Sequence, residues 1–361
     1  MESKTFRRMG FRRMGRSGLW VSEVGLGMWK WGYPSYDGSR VGEHEGFQIL
    51  DRALELGVVH WDTANSYNAG SGNCERLLGR YFSSRGAAAR DMVVLATKVH
   101  NSVRREHELE REFSPNEAGS SRKYLMMAVE GCLRRLQTER IDVLYHHWPD
   151  VTAEGEWETP LEETWGALDD LVRQGKVLYL AVSNRSLGQL QQECRALAGV
   201  SGSAARPIVA VQNRYNLLER ARVASGTAVA GGDEGAFLDY LGENGVGLVP
   251  MMPLAVGMLT GRYRKGQIDE TGRLSERAGE ELRQELLTER NFTIVEKLLE
   301  LARRRGCTLA QLAVAWLLRR EAVCSVISGV TRMEHLEDNV RAIQIQLSRA
   351  ELEQIDALTR P

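Results

Sequence analysis

Short runs of near-continuous apolar, β-branched residues alternate along this chain with longer stretches whose apolar positions recur at helical spacing. The short runs predict strands over 21–29, 58–62, 92–99, 141–147, 177–183, 208–213, 246–251 and 324–329. Between them the pattern predicts helices, among them 44–56, 121–137 and 160–175. In the last of these, Leu161, Trp165, Leu168 and Leu171 share a face, and Gly175 stands where a C-terminal cap belongs. Two further helices, in "NFTIVEKLLELARRRG" and "TLAQLAVAWLLRR", precede the eighth strand.

Strands apolar on both faces, each followed by a helix, make a parallel sheet covered on both sides. Eight such units over 361 residues predict an α/β fold, a single-domain (β/α)8 barrel of the TIM type. The doubly wound alternative shares the alternation, but no strand is followed by a full G-x-G-x-x-G; "GLGMWK" begins that way and ends in Lys30. Two long loops, 100–120 and 252–290, fall at the C-terminal face, where barrels build their sites. The stretch 224–235, "ASGTAVAGGDEG", reads as a surface loop.

Composition narrows the class of partner. The formal net charge is −1, with 43% hydrophobic and 26% charged residues, which gives no support to a nucleic-acid partner. The five cysteines lie apart, without a C-x-x-C pair, as expected in a reducing, cytoplasmic compartment. No apolar run is long enough to cross a membrane. The pentapeptide "FRRMG" occurs twice in tandem at 6–15. Residues 1–10 are expected to be a duplicated or disordered start, ahead of a short hairpin that opens the barrel domain 11–361.

Functional groups of such a barrel project from the C-terminal strand ends. Strand two ends in Asp62, with Tyr67 in the polar loop "TANSYNAGSGNCE" beyond it; strand three carries Lys98 near its end; strand four ends in His146 and His147. Strand five ends in Ser183 and Asn184, strand six in Gln212 and Asn213. The ordinary reading of Asp62 and Tyr67 is a strand cap and a loop aromatic. Lys98 changes the balance: a lysine at the end of a buried strand needs a counter-ion, and Asp62 is one strand away. It is one of seven lysines among 47 basic residues. A phenol with an ordinary pKa near ~10 is a poor acid at neutral pH, and a neighbouring ammonium is expected to lower it. A histidine beside them can donate to a carbonyl oxygen as charge builds there. Such a set suits protonation of a carbonyl while a nicotinamide delivers hydride.

The chain resembles the aldo-keto reductases from about residue 11 to 355. The resemblance rests on "GLGMW", "DTANSYNAGSGNCERLLGR", "LATKV", "IDVLYHHWPD", "GKVLYLAVSN", "VQNRYNLLER", "VPMMPLAVGMLTGRY" and "VISGVTRMEHLEDN", in that order. It implies a catalytic tetrad of Asp62, Tyr67, Lys98 and His147, His147 being preferred to His146 because it directly precedes the Trp-Pro-Asp segment. It implies that Ser183, Asn184 and Gln212 hold the nicotinamide amide. Gly27, Met28, Trp29, Met251, Pro253, Leu254 and Gly257 would line the dinucleotide. Gly329, Thr331, Arg332, His335 and Asn339 would take the adenosine end. Arg332 beside Thr331 at a helix start suits a 2′-phosphate and favours NADPH/NADP+ over NADH; its ordinary reading is a solvated helix-start arginine. Trp31 and Trp148, with Tyr67 and His147, are the candidate substrate contacts. Their bulk suggests an apolar or ring-shaped carbonyl compound: an aromatic aldehyde, quinone, sugar or polycyclic ketone.

This chain departs from the family pattern at several points. Met251 replaces the usual stacking aromatic, Ser328 a usual proline and His335 a usual glutamine; the loop after Tyr67 lacks the usual glycine. None of these removes a tetrad member. The implied partners are a small-molecule carbonyl substrate and further copies of the chain. The resemblance also carries an alternative, a cofactor-bound accessory subunit of a membrane channel with slow turnover. A short-chain dehydrogenase would need Tyr-x-x-x-Lys, and no tyrosine here has a lysine four residues on. "GEHEG" at 42–46 lacks the partners of a zinc site.

Overall fold

The computed structural model describes residues 3–36, 38–103, 112–201, 207–226, 231–275 and 280–360. Three antiparallel strands open the chain: β1 (Ser3–Phe6), β2 (Met9–Arg13) and β3 (Trp20–Ser22). Eight parallel strands follow. They are β4 (Val24–Gly27), β5 (His60–Asp62), β6 (Val94–Val99), β7 (Ile141–His146), β8 (Val177–Ser183), β9 (Ala210–Gln212), β10 (Gly247–Leu248) and β11 (Val326–Gly329). Their order, β11-β4-β5-β6-β7-β8-β9-β10, is sequential apart from the return of β11 to β4. The ring closes between β10 and the run into β11: Leu248 donates to the Ala322 carbonyl at 2.7 Å, Cys324 to Leu248 at 2.9 Å, and Ile327 to Pro250 at 3.1 Å. The fold is therefore an α/β, (β/α)8 barrel in a single domain, as the alternation predicts.

Helices form where the apolar stripe and caps coincide. Glu43–Glu55, Arg122–Leu136, Leu161–Arg173, Glu289–Arg304 and Leu309–Leu317 match the predicted helices to within a few residues. Ser121 caps Arg122–Leu136, Thr308 closes a capping box over Leu309–Leu317, and Gly175 adopts φ +72° after Leu161–Arg173. The main core lies between the sheet and these helices. A smaller cluster, including Ala96, Val143, Tyr145, Ala181, Ala210, Val249 and Ile327, fills the barrel itself.

Three expectations are corrected. The predicted strand 21–29 is two strands: Glu23, bound to Arg12 at 2.7 Å, marks the break between hairpin and barrel. Strand seven keeps only Gly247–Leu248 as a regular strand, although Val249 and Met251 still donate to the carbonyls of Val211 and Asn213, each at 2.9 Å. The start is not a segment ahead of the hairpin. Phe6 to Gly10, the first "FRRMG", forms its turn, with Arg7 (φ +51°) and Arg8 (φ +67°) at the corner and Phe6 paired to Met9. Residues 1 and 2 lie outside the described residues. The hairpin closes the N-terminal end of the barrel: Met14 and Val21 enter its interior cluster, and Arg12 donates to the carbonyls of Val323 (3.0 Å) and Leu318 (2.7 Å).

The long loops lie at the opposite face. Pro115–Glu117 is a short helical turn, boxed by Ser114, in the loop after β6; residues 104–111 of that loop lie outside the described residues. The loop after β10 holds the turn Ala255–Thr260 and the helix Glu280–Leu286. Of the stretch 224–235, residues 227–230 lie outside the described residues, and Asp233 caps the helix Glu234–Asn244. Among the described residues, no helix is long and apolar enough to cross a membrane.

Candidate active site

The parallel register sets the site. Gly27 of β4 pairs with Asp62 of β5, and Lys98 of β6 with Tyr145 of β7, so the functional strand ends stand level at the C-terminal mouth. Lys98 is fully buried and satisfied three ways: Nζ donates to Asp62 Oδ2 at 2.6 Å, to the Thr63 carbonyl at 2.9 Å and to the Tyr67 hydroxyl at 3.0 Å. The Tyr67 hydroxyl lies 3.4 Å from the same carboxylate oxygen. The His147 ring stands edge-on to Tyr67, centroids 6.4 Å apart, and tilts on Trp148 at 5.4 Å.

Asp62 is the hub. Its second oxygen accepts from Gln212 Nε2 at 2.9 Å. Gln212, expected at the nicotinamide amide, thus commits its amide nitrogen to Asp62. Ser183 Oγ donates to the Gln212 carbonyl at 2.8 Å; Asn184 Nδ2 donates to the His147 carbonyl at 3.0 Å and reaches Ser183 Oγ at 3.1 Å. Ser183, Asn184 and Gln212 therefore form one connected group beside Asp62 and His147. Tyr145, which sequence reasoning overlooked, lies under Lys98 with Nζ 5.6 Å from its ring centroid. Its alternation with Val143 along β7 was the available signal.

Charge states follow from burial. The Tyr67 phenol is pushed above its ordinary range, by burial first and by Asp62 next. This corrects the expectation of a lowered pKa: burial first, and the Asp62 carboxylate after it, set the direction of the shift. Tyr67 is consequently protonated at neutral pH, the state a proton donor must start from. Burial lowers the Lys98 ammonium, offset by Asp62. His147 is held well below its usual pKa by burial and then by Lys98, so its ring is neutral and acts as a hydrogen-bonding group. Its Nδ1 is buried without a protein partner.

The remaining candidates divide. Met28 is buried; its N–H donates to the Asp62 carbonyl at 3.1 Å, and its carbonyl accepts from Trp31 N at 3.1 Å. Trp29 is 40% exposed, with Arg273 4.2 Å above its ring. Trp148 is exposed at the mouth. Trp31 is fully buried in the main core and donates Nε1 to the Val330 carbonyl at 2.6 Å; this placement removes it from the candidate substrate contacts. After β10, Met251 and Leu254 are half-buried and Pro253 buried. Left-handed backbone clusters here at Met252 (φ +55°), Ala255 (+44°), Val256 (+57°) and Gly257 (+103°), an uncommon concentration for non-glycine residues. At the far end, Gly329 and Arg332 are exposed, Asn339 is buried, and Thr331 Oγ1 lies 3.4 Å from His335 Nδ1. His335 is exposed, and its pKa is lowered by partial desolvation and then by two cations, Arg332 and Arg262. Arg262 is a second basic group at this corner that sequence reasoning missed.

A sequence model of the aldo/keto reductase family matches residues 23–360. L-glyceraldehyde 3-phosphate reductases of Escherichia coli O157:H7 and of strain K12 are each 35% identical over 353 residues, covering 96% of this chain and 92% of the relative. A probable voltage-gated potassium channel subunit beta of Oryza sativa subsp. japonica is 31% identical over 337 residues, 93% of this chain and 92% of the relative. With the barrel and its ring of strand-end groups, these matches establish that the chain belongs to the aldo/keto reductase family.

Proposed function

We propose that this protein is an NADPH-dependent carbonyl reductase in which Tyr67 is the general acid. The observation that carries the reading is the buried hydrogen-bonded set Asp62–Lys98–Tyr67, level with His147 at the barrel mouth. Bound NADPH would supply the hydride; the protein's own groups manage the proton and the developing charge. His147 donates a hydrogen bond to the substrate oxygen and orients it toward Tyr67. As the oxygen becomes an alkoxide, a stronger base than a phenolate, Tyr67 gives up its proton. Lys98, 3.0 Å away, then stabilises the phenolate left behind, and Asp62 keeps Lys98 charged.

The residues present fit the cofactor. The corner formed by Thr331, Arg332, Arg262 and His335 has the donors and charge for a 2′-phosphate, which favours NADPH over NADH. Ser183 and Asn184 would hold the nicotinamide amide, and the left-handed stretch 252–257 would lie along the pyrophosphate. Trp148 and Tyr67 border the substrate. The two bacterial relatives named for a phosphorylated aldehyde extend the candidate substrates to short phosphorylated aldehydes, beside aromatic and sugar carbonyls.

The test is NADPH oxidation at 340 nm against such a panel, with Tyr67→Phe as control. Loss of turnover by about 10²–10⁴-fold with NADPH affinity intact is expected; a mutant as active as wild type would refute the role of Tyr67. Tight NADPH binding without turnover on any carbonyl would favour the accessory-subunit alternative.

A further inference from the structure

Behind His147, between the sheet and its helices, lies a buried charged cluster that the proposed chemistry does not use. Arg185, Glu193 and His146 are at most 1% exposed. Arg185 Nε and Nη2 donate to the two carboxylate oxygens of Glu193 at 2.7 and 3.0 Å. Nη1 donates to the Ser183 carbonyl at 2.6 Å, and Nη2 also reaches His146 Nδ1 at 2.6 Å. His146 Nδ1 also lies 3.1 Å from Glu193 Oε1; a guanidinium has no acceptor, so at the shorter Arg185 contact Nδ1 accepts, and the Glu193 contact is then not a hydrogen bond. The imidazole proton is then on Nε2, which lies 2.7 Å from Ser120 Oγ.

Stability alone does not account for this cluster, because apolar replacements of buried ion pairs are often neutral or stabilising. Its position is more informative. The last ladder pair between β7 and β8 is His146 with Val182. Beyond it two side-chain bonds run from the β8 end to the β7 end: Arg185 to His146, and Asn184 Nδ2 to the His147 carbonyl. Asn184 has φ +63°, and Arg185 folds back across it onto Ser183. Asn213 holds Arg185 from β9, accepting from its N–H at 3.0 Å and donating to its carbonyl at 2.7 Å. His147 Nδ1 has no protein partner, so the ring takes its orientation from its backbone and from Tyr67 and Trp148.

We propose that Arg185, Glu193 and His146 form a positioning clamp that locks the His147 end of β7 to the Ser183–Asn184 end of β8. The clamp fixes the separation between the ring that orients the substrate oxygen and the residues that face the nicotinamide amide. The inference deepens the reductase reading and, for its catalytic consequence, rests on it.

The test compares His146→Leu with His146→Asn. Both leave the Arg185–Glu193 pair intact and so avoid an unpaired buried charge. Asn can present an oxygen where Nδ1 stood and accept from Arg185; Leu cannot. In His146→Leu, amide hydrogen exchange at His147 and Asn184 should rise about tenfold, with Leu144 and Leu180 unchanged, and kcat should fall about tenfold. His146→Asn should restore both to within about threefold of wild type. Equal behaviour of the two variants, or unchanged exchange at His147 and Asn184 in His146→Leu, would overturn the clamp. The exchange measurement needs neither cofactor nor substrate. A wild type inactive on every carbonyl would therefore sink the reductase reading separately, with exchange still deciding the clamp.

Discussion

Replacing Asp62 with asparagine removes one oxygen and one charge, and the structure sets the cost. Asp62 accepts from Lys98 at 2.6 Å and from Gln212 at 2.9 Å, and both Asp62 and Lys98 are 1% exposed. If the asparagine oxygen faces Lys98, its NH2 faces the Gln212 amide nitrogen and two donors meet. If it faces Gln212, the NH2 meets the ammonium. Either way Lys98 loses its counter-ion in a dry site, a loss of about 3–5 kcal/mol. The lower end is expected, because Lys98 keeps the Thr63 carbonyl and the Tyr67 hydroxyl. Urea unfolding followed by tryptophan fluorescence measures it. The double variant Asp62→Asn/Lys98→Met supplies the control: with the orphaned charge gone, stability should return to within about 1 kcal/mol of wild type. Turnover should stay depressed by about 10²-fold or more in the double variant, which has no ammonium left to stabilise the Tyr67 phenolate. A double variant at least as unstable as Asp62→Asn would refute the ion-pair argument.

Further outcomes follow from other sites. His60 and His146 are buried with pKa values of about 4, against 6.5 when unfolded. Between those values the unfolded chain binds protons that the native chain does not, so stability falls as pH drops; each should cost on the order of 2 kcal/mol between pH 7 and 4.5. Urea midpoints across that range check it, and a flat profile would contradict the burial argument. Arg332→Ala should weaken NADPH binding by about 10–100-fold and leave NADH nearly unchanged, read by cofactor fluorescence. Equal losses for both cofactors would place the 2′-phosphate elsewhere. Gly57 has φ +78°, and an added Cβ would stand 2.7 Å from the Phe6 carbonyl. Gly57→Ala should therefore destabilise the protein by about 1–3 kcal/mol, measured by urea unfolding.

The sequence by itself determined the barrel, because strands buried on both faces and helices buried on one leave different apolar periods, and those periods are local. It also brought Asp62, Tyr67 and Lys98 together as a set, since a lysine ending a buried strand needs a carboxylate nearby. Tertiary structure decided what depends on residues far apart in the chain. Gln212 reaches Asp62 across 150 positions, and Arg185 meets His146 across 39. No local pattern records either contact. The direction of the Tyr67 shift was likewise invisible, because it depends on burial and on which neighbour holds the shared carboxylate oxygen. Trp31 looked like a loop aromatic at the mouth. Only packing, with its Nε1 bonded to Val330 299 residues away, placed it in the core.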